Sequence, residues 1–167
     1  MDFSQTERFN LNMAKECIDS FSEATGLGTA IVGFHGECYA SYGFSCESCR
    51  VKNLVHQTTK KAIECEDTHL YGMLQAQRFG GKYIYFCPAG FNFIISPIIS
   101  SEGAVAYAKA GPFLMVDQED YIKDDLMDLL KIPEEQIENI KELINPVPYM
   151  PPEKVTKLST LLFMSIG

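Results

Sequence analysis

The densest run of strand-forming residues in this chain is YIYFCPAGFNFIISPII, which occupies residues 83–99. Aromatic and β-branched residues fill both halves, and a Pro-Ala-Gly sequence interrupts the middle. Because such residues favour strands while Pro and Gly favour tight connections, the run predicts two strands with Cys87 at their turn. A third strand is predicted over residues 104–110, after a turn at 101–103. Three consecutive strands with short turns indicate an antiparallel meander.

Two shorter strands, residues 28–34 and 37–42, precede the meander, and a His-Gly pair between them fits a two-residue hairpin turn. Apolar residues at helical spacing predict the remaining elements as helices, over residues 5–24 (from an N-cap at Ser4 to a stop at Gly26), 51–62, 65–79, 118–131, 133–144 and 152–166. This order predicts an α+β fold: a PAS-like five-stranded antiparallel sheet with helices inserted after the first hairpin and added N- and C-terminal helices. We expect one domain over residues 1–167, whose C-terminal helix (152–167) leads into an effector domain outside this sequence.

The composition is that of a globular protein, with 46% hydrophobic and 22% charged residues in a chain of 167. No window approaches the roughly 18 uninterrupted apolar residues of a membrane helix, and the N-terminus does not resemble a signal peptide. We therefore expect a cytoplasmic protein without a membrane partner. Of the net charge of −8, −7 falls between Asp117 and Glu142, which predicts one exposed acidic helical face. Without a basic patch, direct nucleic-acid binding is not expected.

The six cysteines are the clearest candidates for chemistry: Cys17, Cys38, Cys46, Cys49, Cys65 and Cys87. In a reducing cytoplasm they indicate metal binding, redox chemistry or buried thiols. The two-residue gap between Cys46 and Cys49 lets both thiolates reach one metal, and Cys65 with Cys87 would complete a tetrahedral site if the fold brings them together. Zinc is the first candidate on ligand type, with an iron–sulfur cluster or haem as alternatives. His69 is a reserve ligand, and redox-active thiols or plain packing remain open.

The aromatic residues of the meander suggest a second kind of site. A small apolar pocket with a few polar groups beside the sheet would be lined by Tyr83, Tyr85, Phe93, Ser96, Tyr107 and Lys109. The alternative is that these rings only pack the core of the sheet. Sequence signatures of metalloproteases, serine hydrolases, phosphate-binding loops and dinucleotide-binding folds are absent, so we expect no enzymatic activity.

Several short motifs follow one another along the chain: residues 21–26 (FSEATG), 44–46 (FSC), Cys65 with Asp67, 87–90 (CPAG), 96–98 (SPI), 110–112 (AGP) and 147–154 (VPYMPPEK). In their order and spacing the chain resembles a PocR sensory domain. This resemblance implies a PAS-like ligand-binding domain at the front of histidine kinases, cyclic-nucleotide enzymes or AraC-type transcription regulators of bacteria and archaea. It also implies a small hydrocarbon derivative, such as a propanediol, as the ligand.

The recurring cysteines of that family match Cys46, Cys65 and Cys87, whereas Cys49 departs from its pattern. Three thiolates with His69 or a ligand oxygen are therefore an alternative metal site. The leading hypothesis is a sensory input domain that binds a small molecule, with a cysteine-bound metal ordering the site, a linked kinase or DNA-binding effector and a homodimeric assembly. The alternatives are a redox or gas sensor that uses a cluster, haem or reactive thiols, and a dimerisation module with structural cysteines.

Overall fold

The computed structural model describes residues 10–35, 37–43, 65–79, 81–87, 90–100, 103–129, 131–145 and 147–166, with the side chains of 65–69 outside this description. The described helices are α1 (Leu11–Thr25), α2 (Cys65–Arg78), α3 (Gln118–Asp120), a π-helix (Tyr121–Leu129), α4 (Glu134–Ile144) and α5 (Pro152–Ile166). The strands are β1 (Thr29–Val32), β2 (Cys38–Tyr42), β3 (Tyr83–Phe86), β4 (Asn92–Ser100) and β5 (Gly103–Phe113). The predicted helix over 51–62 lies outside the described residues. No described helix is both long and apolar enough to cross a membrane.

The strands form one antiparallel sheet in the order β2-β1-β5-β4-β3. The predicted hairpin joins β1 to β2, and the predicted meander joins β3, β4 and β5. β5 is the longest strand, with 11 residues, and it lies at the centre of the sheet between β1 and β4. The prediction of a PAS-like α+β fold with an inserted helix and terminal helices is confirmed.

Alternation along the strands divides the core into two layers, one on each side of the sheet. The aromatic face, which carries Tyr85, Phe93 and Tyr107, packs in one cluster with buried residues of α2, the π-helix and α4. The opposite face, which we call the helix-pair face, packs against α1 and α5. Ile18 of α1 and Leu162 of α5 are fully buried there. The sheet therefore separates the aromatic layer from the terminal helices.

The first helix of the described residues, α1, begins directly after a break at Asn10. Asn10 has an extended backbone (φ −78°, ψ 91°), and its side-chain oxygen accepts a 3.0 Å hydrogen bond from the Met13 amide. An N-cap side chain of this kind satisfies an amide that has no partner in the first turn, so the helix begins at Leu11. One unbroken helix over residues 5–24 is wrong because Asn10 is not helical, and the predicted stop at Gly26 (φ 75°) is confirmed. Residues 5–9 and the N-cap predicted at Ser4 lie outside the described residues.

The segment predicted as one α-helix over 118–131 is also different. Only the first turn, α3, is α-helical, and the following nine residues form the π-helix. The Asp117 side chain caps the start by accepting a 2.8 Å hydrogen bond from the Asp120 amide. π-Helical segments are rare, and the single-turn π-bulges that make up most of them occur frequently at functional sites.

Candidate functional site

Five of the six predicted pocket residues share the aromatic face. Residues directly opposite each other on neighbouring strands project from the same face of a sheet. Across the sheet, Ile95 lies between Tyr83 and Lys109, Tyr85 lies opposite Phe93, and Tyr107 lies opposite Pro97. The structure thus brings together Tyr83, Tyr85, Phe93, Tyr107 and Lys109.

Ser96 is the exception. It lies opposite Ala108, which belongs to the core cluster of the helix-pair face, so Ser96 faces α1 and α5. Its grouping with the other five residues is wrong because an offset of three residues from Phe93 along a strand changes the face. Its hydroxyl is fully buried and has no hydrogen-bond partner among the described residues.

The aromatic face combines stacked rings with one ammonium group. The Tyr85 and Phe93 rings are stacked, with centroids 5.6 Å apart and planes at 20°. The Phe34 and Tyr107 rings meet edge to face at 5.5 Å. The Lys109 Nζ lies 5.6 Å from the centroid of Phe93, within the range of a cation–π contact. Burial raises the pKa of the Tyr107 hydroxyl, which stays a neutral hydrogen-bonding group at physiological pH.

Small residues surround the base of these rings. A Cβ at Gly111 would lie 2.7 Å from Phe93 Cδ1, so the Phe93 ring lies directly against the backbone of β5. On the other side of β5, Ala30 of β1 lies opposite Lys109. The Gly111 amide donates a 2.9 Å hydrogen bond to the carbonyl oxygen of Gly28. Gly111 and Ala30 therefore add no large side chain beside Phe93 and Lys109.

Helix α2 covers the β3 side of this face. A Cβ at Gly72 would lie 2.8 Å from two carbon atoms of the Tyr85 ring, so the absence of a side chain lets the helix approach the ring closely. At the outer end, Tyr83 is stacked on Phe79 at 6.0 Å and meets Tyr71 edge to face. Burial and the neighbouring Tyr71 raise the pKa of Tyr83. Rings therefore line the site from the helix to the central strand.

Cys87 lies at the turn between β3 and β4, as predicted, and its side chain is buried. Its amide donates to the Phe91 carbonyl, and the Gly90 amide donates to the Cys87 carbonyl, both at 2.8 Å. This turn contacts the π-helix directly, because a Cβ at Gly90 would lie 3.0 Å from Tyr121 Cε2. The Phe91 and Tyr121 rings have centroids 5.3 Å apart.

Two ionisable residues of the π-helix lie at this turn and were missed in the sequence. Tyr121 is fully buried, and its pKa is raised well above its usual value by burial and then by the nearby charges of Cys87 and Asp125. Burial, followed by repulsion from Asp124, also raises the pKa of Asp125. The sequence does place a tyrosine and a carboxylate, Tyr121 and Asp125, four residues apart. Both lie in the acidic stretch that was predicted to be an exposed helical face, so they were not considered as site residues.

The predicted metal ligands can be located only in part. Cys46 and Cys49 lie outside the described residues, and Cys65 is described only as the first residue of α2. Cys65 precedes Gly72 by about 10 Å along α2, and Cys87 follows Tyr85 by about 7 Å along the direction of β3.

Within the described part of the chain, no group of three or more His, Cys, Asp or Glu could hold a metal ion. The four-cysteine site stays a prediction. Cys17 has a different role: its thiol donates a 3.3 Å hydrogen bond to the carbonyl of Ser165, and burial raises its pKa. This contact links α1 to α5, and Cys17 packs against the core of the helix-pair face.

Strand order, inserted helix and terminal helices define the class of this protein as an α+β domain of PAS-like layout. Residues 7–167 match the family described as the sensory domain found in PocR. The match covers nearly the whole chain, so the chain belongs to the PocR sensory domain family, as the sequence resemblance indicates. No curated protein matches the chain.

Solved structures of regulator domains have a distantly similar fold. One is the inducer-binding domain of the PobR transcription factor from Acinetobacter, a double mutant in complex with 3-hydroxybenzoic acid (17% identity, 81% of this chain and 98% of that chain, TM-score 0.39). Another is an IclR homologue from Microbacterium hydrocarbonoxydans in complex with 4-hydroxybenzoate (9% identity, 99% and 69% coverage, TM-score 0.42). With both TM-scores below 0.5, the assignment rests on the family match and the sheet order.

Proposed function

We propose that this domain is the input module of a prokaryotic signal-transduction or transcription-regulatory protein in the cytoplasm. It is a sensory domain without enzymatic activity, and it binds a small molecule on the aromatic face. The observation that carries the proposal is the placement of Tyr83, Tyr85, Phe93, Tyr107 and Lys109 on one side of the sheet. Small-molecule sites combine apolar walls with a few polar groups that orient the ligand, and this set has that composition.

The ligand of this site is a small hydrocarbon derivative that carries one or more oxygen atoms, and a diol is the example that family membership suggests. The stacked rings would contact its carbon skeleton, while the Tyr107 hydroxyl and the Lys109 ammonium would hydrogen-bond its oxygens. The close approach of α2 at Gly72 limits the depth of the site on the β3 side. This crowding favours a ligand of a few carbon atoms.

Signal output passes through the last helix. α5 packs on the helix-pair face and contacts α1 through Cys17 and Ser165. A ligand that favours one of two arrangements of the sheet would shift the population of α5 positions and so act on a linked kinase or DNA-binding effector. Pairing of two chains through their terminal helices would let the helices of both respond together.

The metal part of the proposal concerns Cys46, Cys49, Cys65 and Cys87. Zinc held by these thiolates would supply a structural crosslink that orders the ligand site. The burial of the Cys87 side chain at the turn between β3 and β4 supports its part in this assignment. Elemental analysis of protein purified without oxygen should give about one zinc per chain, and Cys87→Ser should lose it. A full complement of metal in Cys87→Ser would contradict the assignment.

A redox or gas sensor is the second candidate, and the observation that favours it is the buried Cys87 beside Tyr121. In that case an iron–sulfur cluster, haem or reactive thiols would carry the signal. The absorption spectrum of the same anaerobic sample separates the two. A visible band that bleaches in air supports the redox sensor, whereas a colourless zinc protein supports the small-molecule sensor.

Thermal unfolding with small diols, alcohols and aldehydes tests the ligand proposal. A ligand at about 100 times its Kd adds about 2.7 kcal/mol of stability, which raises Tm by about 5–11 °C in a domain of this size. Tyr107→Phe keeps the ring but removes the hydroxyl, and it should weaken the response. Ser96→Ala, on the opposite face, should leave it unchanged. The proposal fails if no compound raises Tm, or if Ser96→Ala abolishes the response as strongly as Tyr107→Phe.

A further inference from the structure

The connection that follows α2 contacts α5 beside β3, the outermost strand on that side of the described sheet. The Phe163 ring of α5 lies directly against the backbone of Gly81, because a Cβ there would be 2.7 Å from Phe163 Cζ and closer still to Cε2. The next residue, Lys82, donates a hydrogen bond from Nζ to Thr160 Oγ1 of α5. We propose that α2 transmits ligand binding on the aromatic face to α5 through these two contacts. This inference rests on the proposed function and specifies the route of its signal.

Gly81 is tied to the last turns of α2. Its amide donates a 2.9 Å hydrogen bond to the carbonyl oxygen of Ala76, five residues back, which is the longer of the two bonds in a Schellman helix ending. Ala76 is fully buried and belongs to the core cluster of the aromatic face. Gly81 therefore moves with α2, and a displacement of this helix changes the contact with Phe163.

The middle of α2 contacts the proposed ligand site. Gly72 lies directly against the Tyr85 ring, and the other face of that ring is stacked on Phe93 with centroids 5.6 Å apart. Closely packed groups transmit small displacements because they leave no free space to absorb them. A ligand that shifts the Tyr85 ring must therefore shift α2, since no side chain of Gly72 separates the ring from the helix.

The two contacts lie on one face of α5. Thr160 and Phe163 are three residues apart, so their side chains are neighbours on the helix surface. Thr160 Oγ1 accepts the hydrogen bond of Lys82 and donates one of 3.1 Å to the carbonyl oxygen of Thr156, which fixes its orientation. A shift of α2 therefore acts on the C-terminal half of α5, the helix through which the proposed signal leaves the domain. Packed helices respond to such shifts by changing between discrete arrangements.

Gly72→Ala imitates the movement of the ring without any compound, because the added Cβ must displace α2 from Tyr85. Amide chemical shifts from two-dimensional NMR of isotope-labelled protein record which residues respond. We expect Gly72→Ala to shift resonances of residues 159–166 in α5 as well as those around Tyr85. In a Phe163→Ala background the same change should still shift the resonances around Tyr85, but most of the α5 response should be lost.

Two exposed residues provide matched controls. Gln77→Ala on α2 should leave the α5 resonances in place, and a Met164→Ala background should keep the α5 response to Gly72→Ala. Unshifted α5 resonances in Gly72→Ala overturn the inference without a second variant, so poor folding of Phe163→Ala would not leave the question open. An equal α5 response in the wild-type and Phe163→Ala backgrounds also overturns it, because the displacement then reaches α5 by another route.

Titration of wild-type protein and Phe163→Ala with propylene glycol, ethanol and propionaldehyde separates this inference from the proposed function. Shifts at Phe93 and Tyr107 that are accompanied by α5 shifts in the wild type, but not in Phe163→Ala, support both. Shifts at Phe93 and Tyr107 without α5 shifts in the wild type overturn this inference and leave the proposed function intact. If none of the compounds shifts the aromatic face, the proposed ligand class is wrong and the signalling role of the contact fails with it, whatever Gly72→Ala shows.

Discussion

Gly72 lies in the interior of α2, where replacement by alanine ordinarily stabilises a protein by up to about 1 kcal/mol through helix propensity. Here we expect the opposite sign. An added Cβ would lie 2.8 Å from Cδ1 and Cε1 of Tyr85 and 3.1 Å from Cζ, whereas carbon atoms pack best at about 3.5–4.0 Å. The helix and the ring must therefore separate by roughly 0.7 Å or more.

The Tyr85 ring cannot easily yield this distance. It is 5% exposed, and its other face is stacked on Phe93. Overpacking of a rigid contact costs about 1–3 kcal/mol, which outweighs the gain in helix propensity. We expect Gly72→Ala to be less stable by roughly 1 kcal/mol, with a Tm lower by about 2–4 °C.

A double-mutant cycle separates the two contributions. In a Tyr85→Ala background the ring is absent, so the same change at Gly72 should stabilise the protein by up to about 1 kcal/mol. Urea unfolding of the four proteins gives the coupling energy. Gln77→Ala, an exposed change on the same helix, should be nearly neutral. If Gly72→Ala is stabilising by the same amount in both backgrounds, the close contact between α2 and the aromatic face is refuted.

Gly90→Ala and Asp125→Asn test the contact between the β3–β4 turn and the π-helix, and Gly26→Ala is the control for the first. Gly26 has a left-handed backbone (φ +75°) and nothing within 4 Å of an added Cβ, so Gly26→Ala should lower the free energy of unfolding only by the backbone strain of about 1–2 kcal/mol. Gly90 (φ +87°) has the same strain, and its added Cβ would also meet Tyr121, so Gly90→Ala should lower that free energy by about 1–3 kcal/mol more. Equal losses for the two variants in urea unfolding would argue against the contact with Tyr121. Asp125→Asn should raise Tm at pH 7. The folded-state pKa of Asp125 lies above 3.8, so its charged form costs stability above that pKa, and the advantage of Asn should vanish as the pH falls to 3.8 and below. A difference in Tm that does not change with pH would contradict this account.

The sequence was sufficient for the sheet because each strand carries its own signal. Rings and β-branched residues mark β3 and β4, and the turns between neighbouring strands are short enough to enforce antiparallel pairing. The helices at 118–131 show the limit of this reasoning. In a π-helix each hydrogen bond spans five residues, whereas in an α-helix it spans four. The amino-acid composition of the segment is compatible with both, so it does not reveal which of the two helices forms.

The candidate site was predictable to the extent that strand alternation applies. Tyr83 with Tyr85, and Tyr107 with Lys109, are spaced by two residues, so their common face follows from the sequence. Ser96 fails the same rule with respect to Phe93, and applying alternation across the whole set would have excluded it. Tyr121 was beyond this reasoning, because its position depends on how the π-helix packs on a turn that precedes it by about thirty residues.

The division of the sheet into two faces has a consequence for how such domains diversify. Along β5, Lys109 projects into the ring layer, while its neighbours Ala108 and Ala110 project toward the terminal helices. Two sets of side chains thus alternate on one backbone without touching each other. Substitutions can therefore accumulate in one set while the side-chain contacts of the other set stay unchanged. A chimera that joins the ring layer of one family member to the α1–α5 layer of another should therefore fold, because, apart from the contact of Gly81 with Phe163, the two layers share hydrogen-bonded backbone and little else.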